Sequence, residues 1–456
     1  MHRTVWLALA LGLTAYAQDD GVVRLKVETR VVQMNVAVKA TAGKPVRDLR
    51  KEDFTVLDNG RRREIALFSG EEDASSTPPV ALPPNVFSNR FGPASTGRVT
   101  AILLDGLNSS FATQAYARLQ AIQTVERMAP GESIALYALQ PELAILQDYT
   151  TDRTLLLKAV QAFLPRPQRS DGGRGIGQML MRLRVEGTLE AMRLIAGQMR
   201  EVSGRKSIVW VTAAFPPKPD WNSSIDDALR AINDANVAIY PVDARGLLPS
   251  PSAMVNIQTM QRFAAETGGQ AYYNRNDVGE ALVEAVADAK YTYSLGFYLA
   301  DSDLDGKFHN LKVKVNRPGL VLHYRSGYSA GKEEEVARTP KNELMTATML
   351  SPIDSSAIGI DARVKKADAS LRVEIAITMA EAGDYAIPHL LLVTDARGYM
   401  LSKMEGLYKL TLRPGRLSAG VATTLALPPG AAKLRIILRD RTRGRTGSLT
   451  IPLDKL

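Results

Sequence analysis

Cysteine is missing from the chain, since none of its 456 residues is cysteine. Disulfides, thiolate zinc sites, cysteine nucleophiles and thiol redox chemistry are therefore all excluded. Histidine is almost as scarce, with four residues, and the sequence contains neither H-E-x-x-H nor G-x-x-x-x-G-K-[ST]. Two signatures, for zinc proteases and for nucleotide-binding loops, are thus absent. Stability has to come from ordinary apolar cores.

Long apolar runs are also lacking, and no stretch beyond residue 17 approaches the ~20 apolar residues that span a bilayer. The first 17 residues instead have the three regions of a secretory signal in the right order. These are His2 and Arg3, the apolar run Val5–Leu13, and Ala15-Tyr16-Ala17 before Gln18. We therefore predict an exported protein, periplasmic or extracellular, that begins at Gln18 and has no transmembrane segment.

Changes in hydrophobic periodicity divide the chain into modules. Alternation with period two predicts β structure near both ends, whereas buried strands alternating with helices predict a doubly wound, Rossmann-like α/β domain in the middle. The fold class is thus α/β plus all-β, with β-sandwich modules flanking the central domain. The predicted division is a signal peptide (1–17), an N-terminal β module (18–70), a linker (71–97), the α/β domain (98–290), strands that pack with the N-terminal module (291–330), a connector (331–356) and an immunoglobulin-like C-terminal β-sandwich (357–456).

Within the α/β domain, the pattern predicts a parallel sheet with helices on both faces. The run Val99–Leu104 is continuous and apolar, as in a strand buried on both faces, and Glu142–Gln147 is predicted as a later strand. Pro165–Gly177 contains several glycines and is interpreted as a loop. A long helix is expected from about Leu183 to Val202.

Several segments resemble a known family. The first predicted strand of the α/β domain ends in Leu103-Leu104-Asp105-Gly106-Leu107-Asn108-Ser109-Ser110, and with the strands Ser207–Thr212 and Val237–Val242 it resembles a von Willebrand factor type A domain. A wider resemblance, over about residues 22–330, is to the von Willebrand factor A related proteins typical of Acidobacteria. It rests on Lys51-Glu52-Asp53-Phe54-Thr55-Val56-Leu57-Asp58-Asn59-Gly60, Tyr240-Pro241-Val242-Asp243-Ala244-Arg245-Gly246 and Arg317-Pro318-Gly319-Leu320.

This resemblance implies a cation site formed by the pattern D-x-S-x-S, a later threonine and a second aspartate. Asp105 and Ser109 match two of these positions, and Thr188 matches the threonine. Leu107 stands at the middle serine and Ala213 at the second aspartate, so the site is degenerate. Magnesium is the cation such oxygen ligands would suit. The alternative is that Asp105 caps the following helix.

A second carboxylate cluster comprises Asp301, Asp303 and Asp305, followed by Gly306. It matches the opening of a calcium loop, D-x-[DN]-x-[DN]-G. Lys312 stands where the bidentate glutamate of such a loop belongs. The alternative is a hairpin tip made of turn-forming residues.

These features favour a non-enzymatic interaction or adhesion protein without catalytic residues. Its ligand would be a protein or an envelope component, contacted by Asp105, Asn108, Ser109, Thr188 and Arg245. Nucleic acid is not expected, because the basic run at 439–445 lacks interleaved aromatic residues. Two other classes remain open: a metal-assisted hydrolase, and an envelope scaffold without a small ligand.

Overall fold

The structure is a computed structural model of the chain. It describes residues 30–41, 43–70, 83–89, 98–128, 132–167, 173–200, 202, 205–247, 251–288, 292–330, 351, 353–440 and 445–456. The predicted signal peptide and its cleavage site before Gln18 lie outside the described residues. No helix among those described is both long enough and apolar enough to cross a bilayer.

Strands and helices alternate as follows in chain order. The strands are β1 (Arg30–Ala40), β2 (Phe54–Asp58), β3 (Arg61–Arg63), β4 (Leu67–Ser69), β5 (Val86–Ser88), β6 (Arg98–Asp105), β7 (Ser133–Leu139), β8 (Leu143–Thr150), β9 (Arg205–Thr212), β10 (Val237–Asp243), β11 (Tyr293–Leu299), β12 (Phe308–Val315), β13 (Leu320–His323), β14 (Gly327–Ser329), β15 (Gly359–Ala367), β16 (Ser370–Thr378), β17 (Gly383–Thr394), β18 (Met400–Leu412), β19 (Ser418–Ala426), β20 (Lys433–Arg439) and β21 (Thr446–Pro452). The helices are α1 (Phe111–Arg127), α2 (Arg153–Ala162), α3 (Gly173–Met199), α4 (Asn222–Asp234), α5 (Pro251–Thr267) and α6 (Val278–Asp288).

The central sheet has the strand order β10-β9-β6-β7-β8. Its first four strands are mutually parallel. Helices α3, α4 and α5 supply side chains to the buried cluster on one face, and α1, α2 and α6 supply those on the other. The central domain therefore has the open, doubly wound α/β fold of the A type.

One edge of the sheet differs from the prediction of a wholly parallel sheet. Strand β8 runs antiparallel to β7, and it spans Leu143–Thr150 instead of the expected Glu142–Gln147. Only three residues, 140–142, join the two strands. A parallel crossover needs a dozen residues or more, so this connection permits only a hairpin.

Helix α3 begins at Gly173, well before the expected start at Leu183. The prediction of a loop over Pro165–Gly177 is thus wrong for its last residues. Apolar side chains at Ile176, Met179 and Leu183 continue the helical spacing toward the N-terminus. Each helical glycine costs about 1 kcal/mol relative to alanine, and this cost does not prevent helix formation here.

Two flanking sheets, β13-β1-β11-β4 and β14-β12-β2-β3, share one buried apolar cluster. Strand β1 pairs antiparallel with β11, from Arg30 opposite Leu299 to Val36 opposite Tyr293. Strands that precede and follow the central domain in the sequence thus lie side by side. The buried Arg325 links them to the central domain, donating 2.6 Å hydrogen bonds to the carbonyl oxygens of Asn233 in α4 and Gln33 in β1.

Two further sheets, β19-β16-β15-β5 and β18-β17-β20-β21, share the C-terminal core. Strand β5 comes from the segment expected to be a linker, and it pairs antiparallel with Asp361–Arg363. Phe87 of this strand packs against the C-terminal core. Part of the segment 71–97 is therefore an edge strand, which the short apolar stretch Val86-Phe87 makes favourable.

Candidate functional site

Asp105 is the last residue of β6, at the carboxyl edge of the central sheet. The strand before it is apolar and buried, so the backbone delivers this carboxylate to the crevice where open α/β sheets bind ligands. Its side chain is almost completely buried. One oxygen, Oδ2, accepts hydrogen bonds from Trp210 Nε1 (3.0 Å), Thr212 Oγ1 (2.7 Å) and Asn108 Nδ2 (2.8 Å), and Oδ1 accepts one from the Asn108 backbone N–H (3.1 Å).

Asn108 places its side-chain amide between two of the expected cation ligands. Its Nδ2 donates to Asp105 Oδ2 at 2.8 Å and to Thr188 Oγ1 at 2.9 Å. The Thr188 hydroxyl donates its own hydrogen to the carbonyl oxygen of Arg184 at 2.9 Å, so its oxygen is an acceptor for Asn108. Because both neighbours need a donor here, the nitrogen of the amide, and not its oxygen, faces them.

Ser109 is also buried, and its Oγ accepts a 3.3 Å hydrogen bond from the backbone N–H of Ala213. Ala213 and Ala214 follow β9 where the resemblance implied a second aspartate. Leu107, at the middle serine position, packs against the core and lines an adjacent cavity. The structure thus brings together Asp105, Asn108, Ser109 and Thr188, as predicted, but neither Leu107 nor Ala213 offers a side-chain oxygen.

These residues do not fit a magnesium or calcium ion. Such ions need about six oxygen ligands, whereas the carboxylate of Asp105 is already occupied by four donors and the Asn108 N–H groups fill the space toward Thr188. Burial raises the pKa of Asp105, and the hydrogen bonds from Asn108, Thr212 and Trp210 oppose this shift. Internal hydrogen bonds therefore satisfy the charge that a cation would otherwise neutralise.

The alternative role predicted for Asp105, capping the next helix, is also wrong. Helix α1 is capped by Ser110, whose Oγ accepts from the backbone N–H of Thr113 at 3.2 Å. Asp105 lies too far upstream of α1 and turns toward β9 instead, where Trp210 and Thr212 supply its donors. The carboxylate therefore joins β6 to β9.

Arg245 follows β10, and the structure pairs it with its own strand. Its Nε and Nη2 donate to the carboxylate of Asp243 at 2.8 and 2.7 Å. Asp243 is almost fully buried, and only 12% of the Arg245 side chain is exposed. The predicted role of Arg245 as a ligand contact is thus replaced by a bidentate ion pair that fixes the turn after β10.

The second carboxylate cluster is bound to cationic groups of the protein. Asp303 lies 2.8 Å from Arg63 Nη2, and this guanidinium lowers the pKa of the carboxyl group. Asp305 accepts hydrogen bonds from the backbone N–H of Lys307 and from His309 Nε2. The side chain of Asp301 lies outside the described residues. Among the described residues, no group of three or more His, Asp or Glu side chains could hold a metal ion.

A cavity of about 400 Å³ adjoins the hydrogen-bonded residues at the carboxyl edge. It lies between the β6–α1 loop, the β7–β8 turn, the segment before α3 and α3 itself. The lining residues are Gly106, Leu107, Gln140, Pro141, Arg166, Pro167, Leu180, Leu183, Arg184 and Gly187. Apart from Leu107, the sequence analysis did not single these out, although the apolar spacing at 176, 179, 180 and 183 was a signal for the helix that forms one wall.

No protein-family model matches the chain, and neither does any curated protein. Among solved structures, the chain is similar to a von Willebrand factor type A protein from Catenulispora acidiphila, with 10% identity, a TM-score of 0.30 and coverage of 88% of this chain and 72% of that one. It is also similar to the ArnB paralog VWA2 from Sulfolobus acidocaldarius, with 9% identity, a TM-score of 0.26 and coverage of 92% and 74%. A third is BatB from Bacteroides thetaiotaomicron, with 11% identity, a TM-score of 0.31 and coverage of 42% and 98%. These likenesses concern the fold alone and support no inference about function.

Proposed function

We propose that the chain is an exported, non-enzymatic interaction protein of the periplasm or the medium. Its A-type domain, residues 98–290, binds a protein or cell-envelope ligand at the carboxyl edge of the central sheet. The sheets on either side belong to flanking β-sandwich modules, one formed by residues 18–70 with 291–330 and one by 357–456. The wider resemblance to the Acidobacterial proteins over residues 22–330 is part of this proposal.

The observation behind the proposal is the cavity at the carboxyl edge, beside Asp105. Ligands of open α/β sheets bind in the crevice outside the carboxyl ends of the strands, and a volume of about 400 Å³ lies in the usual range for ligand pockets. Binding there uses no cation, because the side chains of Asp105, Asn108 and Thr188 satisfy one another. The same hydrogen bonds leave Asp105 without the freedom of a catalytic base.

Binding can be tested by placing a charge at the edge of this cavity. Leu183 lines the cavity and is 52% exposed, so Leu183→Glu should leave the fold intact while opposing an apolar contact. Leu155→Glu is the matched control, because Leu155 is 42% exposed on α2, which packs on the opposite face of the sheet. Chain 18–456 is immobilised and cross-linked to proteins in an envelope extract, and each captured protein is quantified.

The proposal requires a partner that the wild type and Leu155→Glu both capture in a saturable manner, and that Leu183→Glu captures at least tenfold less. Equal capture by all three proteins, or no saturable partner, would contradict it. Calorimetric titration with magnesium, manganese and calcium checks the cation-free mode. Saturable heat that Asp105→Ala abolishes would overturn this mode, and heat that only Asp303→Ala abolishes would place an ion at the 301–305 loop.

A further inference from the structure

The cavity at the carboxyl edge combines apolar walls with positive charge. Leu107, Leu180 and Leu183 form much of its surface, and Pro141 and Pro167 narrow it. Apolar groups that enter such a recess leave water, which stabilises the complex by about 25 cal/mol per Å² of buried apolar surface. The occupant must therefore present apolar side chains.

The apolar surface continues outside the cavity along the first turns of α3. Ile176 and Met179 are 59% and 66% exposed, and they precede the lining residues Leu180 and Leu183 at helical spacing. A stripe of large exposed apolar side chains on one helix face is a feature of interaction surfaces. An extended or helical segment of a partner would cover this stripe and place a side chain in the cavity.

Two arginines supply the charge, and no lining residue is acidic. Arg184 stands on α3, and Arg166 lies opposite, in the segment before α3. The buried Gln114 holds the backbone of Arg166 in place: its Oε1 accepts from the Arg166 N–H at 3.0 Å, and its Nε2 donates to the Arg166 carbonyl oxygen at 2.9 Å. The guanidinium of Arg166 makes no hydrogen bond or ion pair within the described part of the chain. Its anchored backbone and exposed head suit it to bind an external carboxylate.

We propose that this cavity binds an acidic, apolar segment of a partner protein, with a carboxylate placed at Arg166 and Arg184 and neighbouring apolar side chains on Leu107, Leu180 and Leu183. This inference rests on the proposed function and adds the chemical class of the ligand. A peptide fits better than an anionic membrane surface, because the arginines line a recess and a flat bilayer would not enter it.

The test uses two fluorescent probes with similar rings, anionic 1-anilinonaphthalene-8-sulfonate and neutral N-phenyl-1-naphthylamine, with the full chain 18–456. We expect the anionic probe to bind at 1:1 and at least tenfold more tightly than the neutral one. Arg184→Gln should weaken the anionic probe about fivefold or more and leave the neutral probe unchanged. Arg193→Gln, farther along the same helix, should change neither.

Gly187→Met fills the cavity. A Cβ at this position lies 3.1 Å from Leu107 Cδ1, so a small shift of that flexible side chain accommodates it, and methionine favours a helix more than glycine does. This variant should abolish binding of both probes. A blocked hexapeptide of four leucines and two glutamates should displace the anionic probe, whereas its lysine counterpart should not.

Equal affinity for the two probes, binding that survives Gly187→Met, or displacement by both peptides alike would overturn the inference. Displacement only by vesicles of anionic phosphatidylglycerol would replace the peptide with a membrane and overturn it too. These failures are distinguishable from failure of the proposed function. In the first case Leu183→Glu still loses its captured partner, while in the second no partner is captured at all.

Discussion

The amide of Asn108 provides a direct test of whether internal hydrogen bonds have replaced a cation. Asn108→Asp keeps the shape of the side chain but removes the two hydrogen bonds that Nδ2 donates to Asp105 and Thr188. A buried hydrogen bond to a charged group contributes about 1.5–3 kcal/mol and a neutral one about 1 kcal/mol. The free energy of unfolding should therefore fall by about 3 kcal/mol, and repulsion between the two carboxylates adds to this loss.

The new carboxylate should also create the cation site that the wild type lacks. Two carboxylates with the hydroxyls of Ser109 and Thr188 form an oxygen-rich set suited to magnesium. If the ion binds with a Kd of about 0.1 mM, then 10 mM magnesium restores about 2.7 kcal/mol. Paired carboxylates have raised pKa values, so without magnesium the variant should be less destabilised at pH 4 than at pH 7.

Tryptophan fluorescence during urea unfolding is the appropriate assay. After Gln18 the only tryptophans are Trp210 and Trp221, and both lie in the core of the central domain, so the signal reports that domain alone. Asn222→Asp, at the start of α4, is the matched control and should lose no stability, since acidic residues are favourable at a helix N-terminus. A wild type that magnesium stabilises through Asp105, or an Asn108→Asp variant as stable as the wild type, would refute the reasoning.

Three further changes test the fold that positions the site. Gly269→Ala should destabilise the chain by several kcal/mol, because its Cβ would lie 1.9 Å from a backbone carbonyl oxygen of β10, whereas Gly197→Ala, in open space on α3, should stabilise it by about 0.5–1 kcal/mol; thermal unfolding compares them. Asp303→Asn should cost about 1–2 kcal/mol at pH 7. The folded-state pKa of Asp303 is lowered, so this cost should disappear as the pH falls below that pKa, as acid-dependent urea titrations can show. Arg325→Met removes two hydrogen bonds to buried carbonyl groups, and it should lower the stability by about 2–4 kcal/mol and separate the unfolding of the central domain from that of its neighbours in calorimetry.

Local patterns were sufficient to predict the central domain. Continuous apolar strands, helical spacing between them and a polar residue after the first strand predicted β6, the helical layers and the position of Asp105. Each of these signals depends on residues close together in the sequence. The antiparallel β8 and the early start of α3 were missed, because a three-residue connection and a glycine-rich helix were weighed less than the general alternation of strands and helices.

The chemistry of the site could be predicted only in part. Spacing placed Asp105, Ser109 and Thr188 together, but it could not show which way the amide of Asn108 points or that Trp210, one strand away, donates to the same carboxylate. Those contacts depend on the pairing of β6 with β9 and on the packing of α3. Arg245 was mispredicted for a similar reason, since the burial of Asp243 beside it became evident only in three dimensions.

The replacement of the cation ligands has a consequence for the partner. An ion at Asp105 could attract an acidic ligand, but here the donors of Asn108, Trp210 and Thr212 satisfy this carboxylate and no excess positive charge remains there. Positive charge at the carboxyl edge comes instead from Arg166 and Arg184 in the adjacent cavity. A guanidinium keeps its charge at any physiological pH and needs no metal. Binding of an acidic partner at this edge should therefore be insensitive to chelators but weakened by salt, because exposed ion pairs are screened.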